Sequence, residues 1–147
     1  GTDEIQLLFS SNKGHGPKPL IKAASGGELS RVMLALKSIL AQSKGLSTVI
    51  FDEIDTGVSG DTAAKVAKIL KEMGSNLQVV AITHLPQIAA SGNQHFRVEK
   101  KEVNKRTKTS IIELSQEEKI AAIAQMLSSA NPTKAALDNA KELIAVS

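Results

Sequence analysis

At 147 residues the chain is the size of one domain, long enough to bury about 70% of its unfolded surface. Its 41% apolar and 22% charged content excludes a disordered tail, and the absence of cysteine excludes a disulfide scaffold, a zinc ribbon and a thiol nucleophile. Net charge is +3, and three Phe without Tyr or Trp leave little for a surface that stacks single-stranded bases.

Ile5-Gln6-Leu7-Leu8-Phe9 reads as a short strand, followed from Ser10 to Pro19 by a loop rich in Gly, Pro and Lys. Leu29, Val32, Met33, Leu36, Ile39 and Leu40 then repeat at helical period, and Gly45 stands where a C-terminal cap is expected. Thr48-Val49-Ile50-Phe51 is an unbroken apolar run that suits a strand buried on both faces of a parallel sheet. A loop from Asp55 to Gly60 leads to a helix with Ala63, Val66, Ile69, Leu70 and Met73 on one face. Leu77 to Ile82 predicts a second buried strand, ending at Thr83-His84. Pro86 suits the first turn of a short helix running to about Ser91.

Past that helix the pattern changes. Phe96 and Val98 alternate with polar residues, and so, less cleanly, do Thr109, Ile111 and Ile112, which predicts an edge hairpin within residues 93–114. Two helices fill residues 115–147. Ser115-Gln116-Glu117-Glu118 is a capping box before Ile120, Ile123, Ala124 and Leu127. Asn131-Pro132 predicts a cap and a first-turn proline before Leu137, Ala140, Leu143 and Ile144. Strand–helix–strand order gives an α/β class with a mostly parallel sheet flanked by helices. No apolar run approaches the roughly eighteen residues of a membrane span, and no signal peptide opens the chain. Gly1-Thr2 in place of an initiating Met is what a fragment or a processed chain would show.

Three places carry chemistry. Ser25-Gly26-Gly27-Glu28 opens the long helix, where free N–H groups and the positive end of the dipole favour an anion and glycine lets a phosphate approach. Taken alone, a capping box between Ser25 and Glu28 explains these residues better. Asp52-Glu53 ends a buried strand, and ligands of open α/β sheets gather at the carboxyl ends of strands. Adjacent strand residues face opposite ways, so a joint task for these acids requires the chain to leave strand geometry there. Asp52 would then hold Mg²⁺, directly or through water, while Glu53 polarises an attacking water. His84, ending the next strand, could bond a phosphate or that water, or simply cap the short helix behind it. Each signal alone is weak; their order along one sheet edge is what unites them.

The motifs resemble those of ATP-binding-cassette (ABC) ATPases. Ala24-Ser25-Gly26-Gly27-Glu28 is similar to the signature motif, Val49-Ile50-Phe51-Asp52-Glu53 to the Walker B strand with its catalytic acid, and His84 to the switch histidine. The longer stretches from Ala24 to Arg31, Phe51 to Gly60 and Thr83 to Ala90 resemble the RecN family of bacterial DNA repair proteins, itself similar to the SMC family. That resemblance covers the whole chain as the C-terminal lobe of an ATPase head in the P-loop NTPase class, split by a long coiled coil. It implies ATP and Mg²⁺ as cofactors, with Glu53 and His84 catalytic and Asp52 assisting the metal. It also implies that Ser25, Gly26, Gly27 and Glu28 complete the nucleotide site of a second head in an ATP-bound homodimer. The partners implied are that second head, the protein's own P-loop half, and DNA break ends, in a cytoplasmic, nucleoid-associated bacterial protein. The implied work is ATP-dependent head dimerisation in double-strand break repair and recombination.

Two departures qualify the resemblance. No G-x-x-x-x-G-K-[ST] loop occurs, so the phosphate cradle and its Lys must come from a segment outside this chain, and the chain alone should not hydrolyse ATP. Ser59 also stands where many relatives place an Asp. The nearer alternative is the head of another SMC-like ATPase or of a transporter; Ile54 after the acid pair, in place of a proline common in transporter domains, points away from the transporter. The rival reading is a non-catalytic module for DNA or a partner, resting on a net +4 across residues 100–108 from Lys100, Lys101, Lys105, Arg106 and Lys108 against Glu102. A solvated tip whose lysines keep an edge strand from pairing explains the same charges.

Overall fold

The computed structural model describes residues 2–10, 16–103, 106–128 and 131–147. Its contacts gather into two compact units, one of residues 1–59 and 73–82, the other of residues 60–72 and 83–147. In the first, β1 (Leu8–Phe9) pairs antiparallel with β2 (Lys18–Pro19) ahead of a single turn, α1 (Leu20–Ala23). The ladder stops at two residues because the chain turns into α1 at Leu20, whose N–H still reaches the Leu7 carbonyl at 2.9 Å, and Ile5 and Leu7 of the expected longer strand stay exposed. Residues 11–15 of the loop between them lie outside the described residues.

The long helix α2 (Gly26–Lys44) ends as its sequence predicts. Gly45 adopts φ 60°, a left-handed conformation natural to glycine, and the Leu46 N–H returns to the Ala41 carbonyl at 3.1 Å. β3 (Thr48–Phe51) runs parallel to β4 (Gln78–Ala81), with Thr48 opposite Gln78 and Phe51 opposite Ala81. The crossover between them contains α3 (Gly60–Gly74), whose Ala63, Val66, Leu70 and Met73 are buried as their spacing predicts.

Two expectations are modified here. The parallel sheet is a single pair of strands, and the other ladders are antiparallel pairs. With no further strand beside it among the described residues, the pair is not buried on both faces: Ile50, Val80 and Ile82 are exposed. The apolar stripe of α2 is likewise uncovered. Leu34 and Ala41 are its buried residues, whereas Leu29, Met33, Leu36, Ile39 and Leu40 of the predicted core face remain exposed.

The second unit holds α3 as far as Glu72, then α4 (Pro86–Ala90), β5 (Phe96–Val103), β6 (Arg106–Glu113), α5 (Gln116–Leu127) and α6 (Lys134–Val146). Pro86 opens α4 at its first turn. β5 and β6 form an eight-pair antiparallel hairpin from Phe96–Glu113 to Val103–Arg106. The core packs Ala90 of α4 against Ile123 and Ala124 of α5 and Ala136 and Ala140 of α6, with Ile120, Leu137, Leu143 and Ile144 around them. Alanines at the contact let the helix backbones approach closely, and Ile123, 1% exposed, supplies the largest apolar side chain.

The Ser115 capping box is present in full: its hydroxyl accepts from the Glu118 N–H at 3.3 Å, and the Glu118 carboxylate accepts from the Ser115 N–H at 2.9 Å. α6 starts later than Asn131-Pro132 predicts. Thr133 is its cap, accepting from the Ala136 N–H at 3.2 Å, which leaves Pro132 outside the helix. Below the hairpin, the Lys119 ammonium is buried and donates to the Gly92 carbonyl at 3.0 Å, and burial lowers its pKa from the ordinary lysine value. His95 Nε2 donates to the Ala89 carbonyl at 2.5 Å, and burial lowers its pKa as well. Both bonds tie the residues around α4 to the start of the hairpin and to α5.

These roles differ in energetic weight. Ile123→Ala should destabilise the chain by about 2–5 kcal/mol through a buried cavity, and Ser115→Ala by about 1 kcal/mol through loss of a cap. Chemical denaturation midpoints read both. A Ser115→Ala cost equal to that of Ile123→Ala would contradict the alanine-lined core as the main source of stability in this unit.

Candidate functional site

The site is built on the end of β3. Phe51 is buried, with the Lys37 ammonium of α2 5.3 Å from its ring centroid, so α2 and β3 are held together one residue before the acids. β3 ends at Phe51, although the adjoining Ile82 N–H still reaches the Phe51 carbonyl at 2.9 Å. Asp52 and Glu53 lie in a bend, and Glu53 has φ 51°. The chain therefore leaves strand geometry at the acid pair, as a shared task for the two requires. Among the described residues Glu53 is the one non-glycine in a left-handed conformation, which for a residue with a Cβ costs about 1–2 kcal/mol.

The following loop fixes that bend. The Thr56 N–H donates to the Glu53 carbonyl at 3.2 Å and the Val58 N–H to the Asp55 carbonyl at 3.0 Å. These turns bury Ile54, Asp55 and Val58 and leave Asp52 and Glu53 exposed. Asp55 is 1% exposed, whereas Ser59 is exposed. Gly57 has φ 70°, a conformation open to glycine without strain.

The first turn of α2 meets this loop. A Cβ on Gly27 would lie 2.7 Å from the Gly57 carbonyl oxygen and 3.4 Å from Arg31 Nη1, and a Cβ on Gly57 would lie 3.2 Å from Gly27 Cα. Gly27 has no room for a side chain, and one on Gly57 would press on the Gly27 backbone at a φ that already strains any residue with a Cβ. Ser25 and Glu28 form the capping box: the Glu28 carboxylate accepts from the Ser25 N–H at 2.8 Å, and the Ser25 hydroxyl accepts from the Glu28 N–H at 3.4 Å. The bond from the Ser25 backbone, reinforced by its hydroxyl, holds the Glu28 pKa below the ordinary carboxylate value. Ser25 keeps its own O–H proton free to donate, and Gly26 bears no Cβ that meets a neighbour.

The structure thus brings the Ser25–Glu28 turn and the loop after Asp52–Glu53 into contact within one unit. His84 follows β4 as an exposed residue of the other unit. It does not cap α4: the N-cap is Leu85, without a side-chain cap bond, and the Leu85 N–H donates to Thr83 Oγ1 at 3.0 Å. Sequence reasoning missed the pairing of Gly27 with Gly57. Gly57 itself is visible as a turn glycine, but nothing in the sequence names its neighbour.

The fold is that of SMC ATPase heads, within the P-loop and ABC class. The Smc head domain with coiled coil and joint from Pyrococcus yayanosii superposes with a TM-score of 0.65 at 24% identity, over 78% of this chain and 21% of that one. An SMC head domain from Thermotoga maritima gives 0.52 at 26% identity, over 69% of this chain and 37% of that one. An SMC ATPase studied for ATP-driven dimerization and DNA-stimulated activation gives 0.63 at 23% identity, over 78% and 68%.

Within that class the sequence is RecN-like. It is 44% identical over 144 residues to the DNA repair protein RecN of Bacillus subtilis and of Vibrio cholerae, and 43% to that of Haemophilus influenzae, in each case over 98% of this chain. The chain spans about a quarter of the length of these relatives, 25% of the first and 26% of the other two. No family model matches it.

The left-handed turn at Glu53 has a measurable signature. Glu53→Gly should raise stability by about 0.5–1 kcal/mol, because relief of about 1–2 kcal/mol of backbone strain outweighs glycine's entropic cost of about 0.5–1 kcal/mol. Glu53→Val, β-branched at the same φ, should lower it. The reverse order of urea midpoints would show that the turn is not strained.

Proposed function

We propose that this chain is the part of a RecN-like ATPase head that carries the signature turn, the Walker B acids and the switch histidine. In the full-length protein it serves ATP-dependent head dimerisation during bacterial DNA double-strand break repair and recombination. The observation that carries this reading is the left-handed Glu53 at the carboxyl end of a parallel strand, set in a loop that packs against the first turn of α2. Strain of this kind is kept where surrounding structure over-determines it, and it gathers at active sites.

The residues divide the work. Asp52 and Glu53 are exposed and adjacent in a bend, so strand alternation no longer holds them to opposite faces. Among the described residues no group of three or more His, Asp or Glu side chains could hold a metal ion. A single carboxylate is nonetheless the usual protein share for Mg²⁺ that arrives with phosphate and water ligands, and Asp52 fits that share. ATP with Mg²⁺, when bound, supplies the scissile phosphoanhydride and neutralises charge on its phosphates. Glu53 then orients or deprotonates the attacking water, and His84 contacts the γ-phosphate or that water. On the opposite head's nucleotide, Gly26 and Gly27 offer backbone N–H groups and Ser25 its hydroxyl proton. Glu28 is a positioning residue: its carboxylate is spent on the Ser25 N–H and holds the turn in shape.

Two surfaces support a head completed by chain from elsewhere. The exposed stripe of α2 and the exposed apolar residues of β3 and β4 are what a core looks like with part of its cover absent. Residues 1–147 then form the C-terminal lobe, with the P-loop half and the coiled coil in the remainder of the protein. Likeness to bacterial RecN proteins supports work on nucleoid DNA in the cytoplasm.

In a full-length protein carrying this segment, Glu53→Gln should preserve ATP-driven association of heads and lower turnover by about 10²-fold or more. Sedimentation with ATP and a phosphate-release assay read the two effects. Normal turnover in that variant would overturn the assignment, as would ATP hydrolysis at full-length rates by the 147-residue chain alone.

A further inference from the structure

The hairpin sorts its charges in a way the sequence does not display. Alternate residues of a ladder face opposite sides, so its register assigns Arg97, Glu99, Lys101 and Val103 of β5 to the same face as Arg106, Lys108, Ser110 and Ile112 of β6. The other face carries Phe96, Val98 and Ile111, 58%, 61% and 70% exposed, with Lys100 as its one described cation. Glu99 takes ion pairs from Arg97 at 2.8 Å and Lys101 at 2.9 Å, and these two partners hold its pKa below the ordinary carboxylate value. Among the described residues no ion pair reaches Arg106 or Lys108. Lys105, at the turn, lies outside the described residues.

Lys101 stands directly opposite Lys108 in the ladder. Directly opposed residues have Cβ atoms about 5 Å apart, and like charges there destabilise a hairpin. Arg106 lies about 7 Å along the strand from Lys108 on the same face. Three cations therefore crowd the outer half of one exposed face, with a single carboxylate, already shared with Arg97, to balance them. An anionic ligand would convert this repulsion into binding.

We propose that the Lys101–Arg106–Lys108 face of the hairpin is a docking surface for the phosphate backbone of duplex DNA. This deepens the proposed function by giving its DNA partner a site on this chain. Charge complementarity selects that partner over an acidic protein. Protein interfaces exclude charge from their cores and gather apolar and aromatic anchors; here the one aromatic ring, Phe96, lies on the opposite face with the exposed Val98 and Ile111, while on the basic face Ile112 and Val103 stand at the two ends with the charges between and beside them. Backbone phosphates are contacted by Lys and Arg with help from hydroxyls such as Ser110, without any dry core.

The test is equilibrium binding of the 147-residue chain to a fluorescein-labelled duplex of about 30 base pairs and mixed sequence, without nucleotide, across a salt series. Lys101→Gln, Arg106→Gln and Lys108→Gln combined should weaken affinity about tenfold or more at low salt and flatten the slope of log K against log salt by about 3. Lys101→Arg with Lys108→Arg should retain both. Neutralising an opposed pair removes repulsion, so the melting temperature of the triple variant should not fall. If that variant does not fold, Lys101→Gln alone decides, with an expected slope change of about 1. Unchanged affinity and slope would overturn the proposal, and so would competition by polyglutamate as effective as that by unlabelled duplex. Because this binding is read without ATP, its failure leaves the ATPase reading standing, and failure of the Glu53→Gln test leaves this measurement intact.

Discussion

The constraint on which the site depends is the approach of Gly27 to the Gly57 carbonyl, too close for a side chain on Gly27. It joins two pieces of chain thirty residues apart. One is the first turn of α2, which offers N–H groups to an anion; the other is the loop that holds Asp52 and Glu53 at the end of β3. Neither can shift far without moving the other, because the contact is backbone on backbone and no flexible side chain lies between them to absorb displacement. The Lys37–Phe51 contact and the turns at Thr56 and Val58 act around this point, holding the strand end and the loop in one geometry. The signature turn and the acid pair are therefore parts of one mechanical element.

How much of this is legible in the sequence varies by element, for physical reasons. Thr48–Phe51 reads correctly to the residue, because an unbroken β-branched run bounded by a turn and by acids leaves little choice. Gly45 reads correctly as a cap, since a left-handed position after an apolar-periodic run is what glycine supplies. The stripe of α2 illustrates the limit of periodicity. Spacing tells which residues share a face, but not whether this chain contains anything to cover it. At α6, Asn131 and Thr133 both carry a capping oxygen, and local sequence cannot rank them; the structure uses Thr133.

The site is legible in part. The identities and order of Ser25, Gly26, Gly27, Glu28, Asp52, Glu53 and His84 can be read directly, since their chemistry follows from residue type and from place on strand or helix. The left-handed conformation of Glu53 cannot, because Asp52-Glu53-Ile54-Asp55 contains no glycine to announce it. Nor can burial of Asp55, where an acid in a loop would ordinarily be solvated. The charges of residues 100–108 are visible as a sum, yet their separation onto one face depends on a register that only the ladder supplies.

The β3–β4 pair has a consequence for how the chain assembles. Its register partners, such as Thr48 and Gln78, are thirty residues apart, whereas β5 and β6 are joined by the two residues between Val103 and Arg106, and α5 follows directly. Loop-closure entropy and contact order both favour the local pieces, so the hairpin can form before the pair that carries the acids. Until β3 finds β4 across its helical crossover, each is a short apolar strand with unsatisfied edges, prone to pair with another chain. The element that positions the chemistry is thus among the costliest to nucleate and the most exposed to misassembly.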